Sequence, residues 1–256
     1  MNMSSEFSPP VGSLALVTGA AGGIGSAIAR ELVNVGCRVL LADRSEVILA
    51  NIQSELGDAV EGAYAYDQGN LASIEALAAQ MPTPRIVFNN AGILKTGPIL
   101  EMDVNTIEEI IRVNLTGPIL IARHLAPLMI EAGGGVIVNT SSQLAFDGAT
   151  TRGAYAAAKA GLAQFTRTAA SEWAPHGLRV AALAPGRTLT PMNAALLADP
   201  KVRADALAGI PSGRFAEADE IARLACFLAS PAADYVNGET LIADGGFVLT
   251  AGRPAP

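Results

Sequence analysis

Seven short apolar runs, rich in β-branched residues, recur along the chain and alternate with longer segments of helical character. Strands that alternate with helices in this way predict a parallel, doubly wound α/β sheet with helices on both faces. The runs are continuously apolar, as expected for strands that are covered on both faces. The seven runs are Leu14–Thr18, Arg38–Ala42, Val60–Tyr66, Ile86–Asn89, Val136–Thr140, Arg179–Ala184 and Thr240–Ala243.

Apolar residues recur at helical spacing in the segments between these strands. The clearest examples are Val104–Ile130, Gly153–Trp173 and Ala216–Leu228. One segment, at about 188–212, breaks the rhythm because it follows Pro185-Gly186 and is interrupted by Pro191 and Pro200. We expect it to form a mobile lid. Half of the 256 residues are apolar, which is enough to bury one large core, so residues 1–256 are expected to form a single domain.

The charge and the first residues of the chain exclude several classes of partner. The net charge of −7 offers no electrostatic surface for nucleic acid or for an anionic membrane. The first ten residues contain no basic residue, and no continuous apolar run approaches the roughly 20 residues that span a bilayer. We therefore expect a cytoplasmic protein with no membrane or nucleic-acid partner.

The cysteines and histidines do not predict a metal site. Cys37 and Cys226 lie far apart in apolar runs, which indicates buried thiols in a reducing compartment rather than a disulfide or a metal pair. His124 and His176 have no carboxylate or cysteine at ligand spacing. No metal is expected.

The first strand leads directly into a glycine-rich turn that contains Gly19, Gly23, Ile24 and Gly25. Glycines allow a tight turn and let a pyrophosphate approach bare amides at a helix N-terminus, where the helix dipole favours negative charge. Such turns also occur for packing alone. The position between a strand and a helix favours dinucleotide binding here.

Asp43 closes the second strand, 18 residues after Gly25. A carboxylate at about this offset accepts hydrogen bonds from ribose hydroxyls and repels a 2′-phosphate, which predicts NAD rather than NADP. The neighbouring Arg44 could weaken this discrimination. The alternative is that Asp43 caps a helix that starts at Ser45.

Tyr155 and Lys159 stand four residues apart, so on a helix the phenol and the ammonium share a face. A nearby cation stabilises a phenolate and can lower the tyrosine pKa by roughly 1 to 3 units, toward the range of a useful general base. The alternative is a surface tyrosine and a solvated lysine, because a lone Tyr-x3-Lys pattern occurs by chance.

Taken together, these residues resemble the short-chain dehydrogenase/reductase family in its compact single-domain form. The resemblance extends from Leu14 to Gly246 and implies a Rossmann-like fold with the sheet order 3-2-1-4-5-6-7. It also implies a homotetramer formed through the fourth and fifth helices. The motifs that carry it are Thr18-Gly19-(x3)-Gly23-x-Gly25, Asn89-Asn90-Ala91-Gly92, Asn114, Ser142, Tyr155-(x3)-Lys159 and Pro185-Gly186.

The resemblance implies a role for each of four catalytic residues. Tyr155 is expected to donate or accept the proton at the substrate oxygen, and Ser142 to hydrogen-bond the same oxygen. Lys159 is expected to bind the nicotinamide ribose and lower the tyrosine pKa. Asn114 is expected to hold a water that connects Lys159 to solvent, which completes a proton relay.

The resemblance also implies a set of cofactor contacts. Asp67, with Gln68 beside it, is expected at the adenine, Asn90 and Gly92 at the adenosine ribose, and Thr188 and Thr190 at the nicotinamide carboxamide. Thr188 stands where the family usually has Ile or Val, although its backbone can make the same contact. The glycine turn lacks the basic residue common in NADP-preferring members, which agrees with Asp43. The whole expected set is Gly19, Gly23, Ile24, Gly25, Asp43, Asp67, Gln68, Asn90, Gly92, Tyr155, Lys159, Thr188 and Thr190.

The predicted function is hydride transfer between NAD(H) and a secondary alcohol or ketone, such as a polyol, a sugar or a cyclic alcohol. Two alternatives are a 3-oxoacyl carrier reductase and a non-catalytic dinucleotide-binding protein. Substrate contacts are expected from Gln143, Arg152 and Arg187, with further walls from residues near Lys95 and from the lid. The two arginines could clamp an anionic group, the alternative being surface arginines beside helix ends.

Overall fold

A computed structural model describes residues 6–191, 194 and 197–250. Seven parallel strands form one sheet with the order β3-β2-β1-β4-β5-β6-β9, which confirms the predicted topology. The seventh strand of the sheet is β9 because two short strands, β7 and β8, precede it and pair with each other in a separate sheet. The strands are β1 (Leu14–Thr18), β2 (Arg38–Asp43), β3 (Val60–Ala65), β4 (Ile86–Asn89), β5 (Gly135–Thr140), β6 (Leu178–Pro185), β7 (Thr188–Leu189), β8 (Ala216–Glu217) and β9 (Thr240–Ala243).

Helices cover both faces of the sheet. One hydrophobic core lies between the sheet and helices α1, α2 and α7, and a second lies between the sheet and helices α3, α4 and α5. The helices are α1 (Gly23–Asn34), α2 (Glu46–Leu56), α3 (Leu71–Gln80), α4 (Val104–Glu131), α5 (Gly153–Trp173), α6 (Pro200–Ala208) and α7 (Ala218–Leu228).

Successive strand residues supply the two cores in turn, because side chains alternate between the faces of a strand. In β1, Val17 enters the first core and Leu16 the second. In β4, Phe88 enters the first core and Val87 the second. All four side chains are buried. Because both faces of the sheet are covered by a core, the side chains on both faces of each strand must be apolar. This explains the continuous apolar runs in the sequence.

The predicted boundaries are close to the observed ones, with one correction. The expected helix Ala216–Leu228 begins two residues late, because Ala216–Glu217 forms β8. The Glu217 side chain and that of Glu220 then close a capping box, in which each accepts a backbone N–H of the other's residue. The capping box fixes the start of α7 at Ala218.

Helix α4 contains no continuous apolar run of about 20 residues, but it is long and apolar enough to cross a bilayer by length and average composition. An 18-residue window in Val104–Glu131 reaches a mean hydropathy of 1.3 and satisfies that test by length and composition. Half of this window is buried inside the protein. Ile121, Leu125 and Met129 all contribute to the second core, which accounts for the apolar character of the helix.

The two cysteines are free thiols in the first core, as the sequence indicates. Burial raises the pKa of both thiols, to about 11 for Cys37. Because the thiolate is the reactive form, Cys37 and Cys226 are poor nucleophiles at neutral pH.

Polar side chains tie together the carboxyl ends of three central strands. The Thr18 hydroxyl donates to the Phe88 carbonyl (3.3 Å) and accepts from the Asn90 amide (3.0 Å), which joins β1 to the loop after β4. Asn139 on β5 accepts from the Asn89 side chain and donates to Thr166 on α5, at 2.9 Å each. These bonds hold the edge where ligands of doubly wound sheets bind.

Candidate active site

A cleft of about 850 Å³ lies along the carboxyl edge of the sheet. Its walls come from the loops after β1, β2, β3, β4, β5 and β6, together with the start of α5 and part of the segment 188–212. All the catalytic and cofactor residues that the sequence predicted line this one cleft, together with three of the predicted substrate contacts. They are Gly19, Gly23, Ile24, Gly25, Asp43, Asp67, Gln68, Asn90, Gly92, Asn114, Ser142, Gln143, Arg152, Tyr155, Lys159, Arg187, Thr188 and Thr190.

The glycine turn is packed too tightly for side chains. A Cβ on Gly25 would lie 2.0 Å from the Gly19 carbonyl oxygen, and Gly19 itself has a left-handed φ of +66°. The residue before α1, Gly22, offers no side chain to cap the helix. The first amides of a helix lack intrahelical partners, so this uncapped N-terminus on the cleft wall fits an anionic group such as a dinucleotide diphosphate.

Asp43 is joined to the glycine turn rather than acting as a helix cap. One carboxylate oxygen accepts from the Ala21 amide (2.9 Å) and the other from the Arg44 amide (2.7 Å). The cap of α2 is Ser45, whose hydroxyl accepts from the Ile48 amide. The carboxylate is therefore held at the cleft wall beside the turn, where it can meet ribose hydroxyls.

Gln68 lines the cleft, but its side chain is bonded within the protein. The buried amide donates to the carbonyls of Ala91 (2.9 Å) and Val113 (2.7 Å) and accepts from the Tyr66 hydroxyl (2.7 Å). It thus joins the loops after β3 and β4 to α4. Asp67 is exposed on the same wall, as a cofactor contact requires.

Asn90 and Thr190 both pack against the glycine turn. The Asn90 amide donates to the carbonyls of Thr18 (3.1 Å) and Gly19 (3.4 Å), so it holds the turn against the loop after β4. A Cβ on Gly23 would come within 2.8 Å of the Thr190 methyl group. The start of the segment 188–212 therefore packs directly on the glycine turn.

Tyr155, Ser142 and Lys159 line the cleft together. Tyr155 lies in the first turn of α5, and Ser142 is near enough to its hydroxyl to influence the pKa of the phenol. The Lys159 ammonium donates to the Thr140 carbonyl (2.7 Å) and lies 5.8 Å from the centre of the Tyr155 ring. The helical spacing has therefore placed phenol, hydroxyl and ammonium in one site, as predicted.

The electrostatics of this group correct one expectation from the sequence. Burial raises the pKa of Tyr155 above its ordinary value, and the interaction with Ser142 offsets only part of the rise. Burial also lowers the pKa of Lys159 to about 8. In the protein alone, burial therefore keeps the pKa of the phenol above the range of a general base.

Asn114 lies in a π-helical turn of α4, Arg112–Thr116, a feature often found at functional sites. Its amide donates to the carbonyls of Ile93 (2.9 Å) and Ile110 (3.0 Å), and its oxygen accepts from the Ile93 amide (3.1 Å). A Cβ on Gly92 would lie 2.7 Å from the Asn114 oxygen and 3.6 Å from the Lys159 nitrogen. The side chain of Asn114 thus fixes the loop that faces Lys159.

The three residues that the sequence predicted as substrate contacts, Gln143, Arg152 and Arg187, also line the cleft. Gln143 is buried, whereas both arginines are half-buried. The Arg187 guanidinium lies 5.2 Å from the centre of the Phe247 ring. Phe247 also lines the cleft, but the sequence did not predict it, because it follows the last strand and belongs to no recognised motif. Lys95 was expected as a further wall residue but forms an ion pair with Glu109 outside the cleft.

Comparison with known proteins identifies the family. A family model described as enoyl-(acyl carrier protein) reductase matches residues 19–248, which is most of the chain. The chain belongs to the short-chain dehydrogenase/reductase family. The predicted family and Rossmann-like fold are therefore confirmed.

Several members of the family are similar to this chain over nearly its full length. The cis-4-hydroxycyclohexanecarboxylate dehydrogenase of Sinomonas cyclohexanicum is 40% identical, and the match covers 91% of this chain and 96% of that protein. The D-threitol dehydrogenase of Mycolicibacterium smegmatis is 37% identical, with coverages of 93% and 94%. A 3-oxoacyl-[acyl-carrier-protein] reductase of Salmonella typhimurium is also 37% identical, with coverages of 93% and 98%.

A solved family member shows the same architecture. The gluconate 5-dehydrogenase of Burkholderia cenocepacia, in complex with NADP and tartrate, is 33% identical and superimposes with a TM-score of 0.89. The superposition covers 97% of this chain and 99% of that one.

The buried Lys159 ammonium predicts a specific pH dependence of stability. Burial lowers its pKa to about 8 in the folded state, whereas an unfolded lysine titrates near 10.4. Below pH 8 both states are charged and the full burial cost is present. Between pH 8 and about 10.4 the folded state sheds its proton first, so the cost disappears as pH rises.

We therefore expect the Lys159→Met variant to gain stability relative to wild type at pH 7 and to lose this advantage by pH 10. The expected change is on the order of 2 to 3 kcal/mol in the free energy of unfolding, measured by urea denaturation of the cofactor-free protein. The exposed Lys201→Met is the control, and its difference from wild type should stay constant with pH. An equally constant difference for Lys159→Met would contradict the lowered pKa.

Proposed function

We propose that this chain is an NAD-dependent dehydrogenase that transfers a hydride between NAD(H) and a secondary alcohol or ketone, with a polyol, sugar or cyclic alcohol as substrate. The observation that carries the proposal is that one cleft joins two sets of residues. The glycine turn and Asp43 line it, and so do Ser142, Tyr155 and Lys159. A proton-transfer group beside a dinucleotide cradle is what reversible alcohol oxidation requires.

Each residue of the catalytic group has a distinct task. Ser142 hydrogen-bonds the substrate oxygen and the Tyr155 hydroxyl, which orients that oxygen for proton transfer. In the oxidation direction, Tyr155 accepts the proton of the substrate hydroxyl, and in reduction it returns a proton to the carbonyl oxygen. Lys159 holds the nicotinamide ribose and favours the phenolate, and Asn114 positions the loop opposite the ammonium. A water held at Asn114 would complete the proton relay to solvent.

The cofactor would be held by the residues that line the rest of the cleft. When bound, a nicotinamide dinucleotide would supply the hydride acceptor, and a positive charge close to Tyr155 would offset part of the burial that raises the pKa of the phenol. The assigned residues are Gly19, Gly23, Ile24, Gly25, Asp43, Asp67, Asn90, Gly92, Lys159, Thr188 and Thr190, with Gln68 acting through the loops that it joins.

The names of similar proteins support a hydroxyl-bearing carbon substrate, since they include a threitol, a gluconate and a hydroxycyclohexane dehydrogenase. A 3-oxoacyl carrier reductase is a second candidate, because one similar protein has that activity. The net charge of −7 argues against it, since docking an acidic carrier protein needs a basic surface. A non-catalytic dinucleotide-binding protein would not need the Tyr155 group.

The remaining assignments follow from the same proposal. Residues 1–256 would act as one cytoplasmic domain, with the segment at about 188–212 as the lid over the cleft. Several lid side chains line the cleft, and a small apolar cluster of Leu197, Ala206, Ile210, Phe215 and Phe247 anchors the segment. Part of the predicted lid, residues 192–193 and 195–196, lies outside the described residues.

The Tyr155→Phe variant tests the mechanism. Loss of the phenolic proton should lower turnover by at least about 100-fold, while the affinity for NADH stays near that of wild type. Substrates are found first by screening NAD reduction at alkaline pH over polyols, aldoses, sugar acids, cyclic alcohols and hydroxyacyl thioesters. Tyr235→Phe removes the same hydroxyl from a fully exposed tyrosine and should leave turnover unchanged. Undiminished turnover in Tyr155→Phe would refute the mechanism.

The Asp43→Asn variant tests the choice of cofactor. Removing the charge without changing the shape should reduce the ratio of kcat/KM for NAD to that for NADP by at least about 10-fold, because the repulsion of a 2′-phosphate is lost. Asp58→Asn, at an exposed position outside the cleft, is the matched control. A wild-type enzyme that prefers NADP, the cofactor in the Burkholderia structure, would contradict the assignment.

The proposed homotetramer is tested by light scattering. Helices α4 and α5 carry exposed apolar or small side chains, including Val104, Leu128 and Ala157, through which symmetry-related helices could pack. We expect a mass of about 105 kDa, four chains of 26.2 kDa. A single species of one-chain mass at micromolar concentration would exclude the tetramer.

A further inference from the structure

Two arginines that line the cleft form no ion pair with any of the described residues. Arg187 follows Pro185-Gly186 at the end of β6, and Arg152 immediately precedes α5, three residues before Tyr155. Both are half-buried and line the same cleft as Ser142. Among the ion pairs of the described ranges, none includes either arginine, and the residues outside those ranges contain no aspartate or glutamate.

The two guanidinium groups also act on each other. Burial lowers the pKa of Arg187, and the positive charge of Arg152 lowers it further. Two like charges in one partly desolvated wall destabilise the protein unless an anion joins them. The acidic residues that line the cleft do not neutralise them. Asp43 accepts from the Ala21 amide and Asp67 from the Gly69 amide, and none of Asp43, Asp67 and Asp205 forms an ion pair with either arginine.

The surroundings of the pair leave donor groups for a ligand. Arg187 rests on the Phe247 ring through a cation–π contact at 5.2 Å, which fixes its plane without using its N–H groups. Arg152 donates one hydrogen bond, to the Thr151 hydroxyl (2.6 Å). A guanidinium has five N–H donors in a planar fork that matches a carboxylate, so most of the ten remain for an anion.

We propose that Arg152 and Arg187 form a carboxylate-binding subsite, so that the substrate is a secondary alcohol that also carries a carboxylate group. This inference rests on the proposed function, because it names the substrate class of the same site. Ser142 and Tyr155 would hold the reacting hydroxyl while the arginines hold the carboxylate at the other end of the molecule. Two fixed points on the substrate select one orientation and bring one hydroxyl to Tyr155.

A binding experiment tests the subsite without requiring turnover. Gluconate, tartrate and cyclohexanecarboxylate are each compared with the corresponding primary amide, which has nearly the same shape but no charge. Affinity for the enzyme–NADH complex is measured by calorimetry. We expect at least one carboxylate to bind at least about 10-fold more tightly than its amide, because charge-assisted hydrogen bonds are roughly twice as strong as neutral ones.

The variants locate the effect. In Arg187→Gln and in Arg152→Gln the carboxylate-to-amide ratio should fall to within about threefold of one, and Arg187→Lys should keep part of the preference because it keeps the charge but not the fork. Arg223→Gln, at an exposed position on α7, should leave the ratio at the wild-type value. A ratio near one in wild type, or an unchanged ratio in both cleft variants, would overturn the proposal.

Three further outcomes distinguish a carboxylate subsite from a diphosphate contact and from the dehydrogenase function itself. If Arg187→Gln weakens NADH binding about 10-fold and leaves the carboxylate-to-amide ratio unchanged, the arginine binds the dinucleotide diphosphate and the subsite proposal is wrong. If neutral alcohols are oxidised as efficiently as their carboxylate analogues, the subsite fails while the dehydrogenase function stands. If carboxylates bind selectively but no alcohol is oxidised with NAD or NADP, the proposed function fails and the subsite stands.

Discussion

The site depends on one buried charge, the ammonium of Lys159. Its burial is unfavourable, as the pKa of about 8 indicates, and the hydrogen bond to the Thr140 carbonyl at 2.7 Å offsets only part of that cost. The packing of α5 on the sheet must supply the rest. The Ser141 hydroxyl, which donates to the Lys159 carbonyl at 2.9 Å, joins the end of β5 to the same turn of the helix. Tyr155 lies one turn earlier, so whatever fixes Lys159 also fixes the phenol.

Most of the fold could be predicted because each strand carries its signal locally. β1, β4 and β9 have the predicted bounds, since a turn or a change of polarity encloses each apolar run, and α5 has the predicted bounds over 21 residues. The two-residue strands β7 and β8 could not be predicted. Thr188 pairs with Ala216 across the lid segment, and two residues are too few to show a period. Their pairing depends on the tertiary structure.

The sequence identified which residues line the cleft but not which way their side chains point. Gln68 and Asn114 occupy positions at which the family resemblance implies a cofactor contact and a catalytic residue. In the structure, the amide of each side chain joins backbone segments that are distant in sequence. The direction of the Tyr155 pKa shift was also wrong. Helical spacing shows that Lys159 is near, but it does not show how deeply both groups are buried, and burial determines the sign of the shift.

The cleft contains positive groups that the net charge of the chain does not reveal. The chain has a net charge of −7, so at long range it repels anions, yet the cleft is lined by the guanidinium groups of Arg152 and Arg187 as well as by Asp43. At physiological ionic strength charges are screened beyond about 8 Å, so the arginines act only on a molecule already inside the cleft. Their contribution to an anionic substrate would therefore be to retain and orient it rather than to attract it from solution, and the overall negative charge would slow its encounter. Local arrangement, not net charge, decides what this cleft can hold.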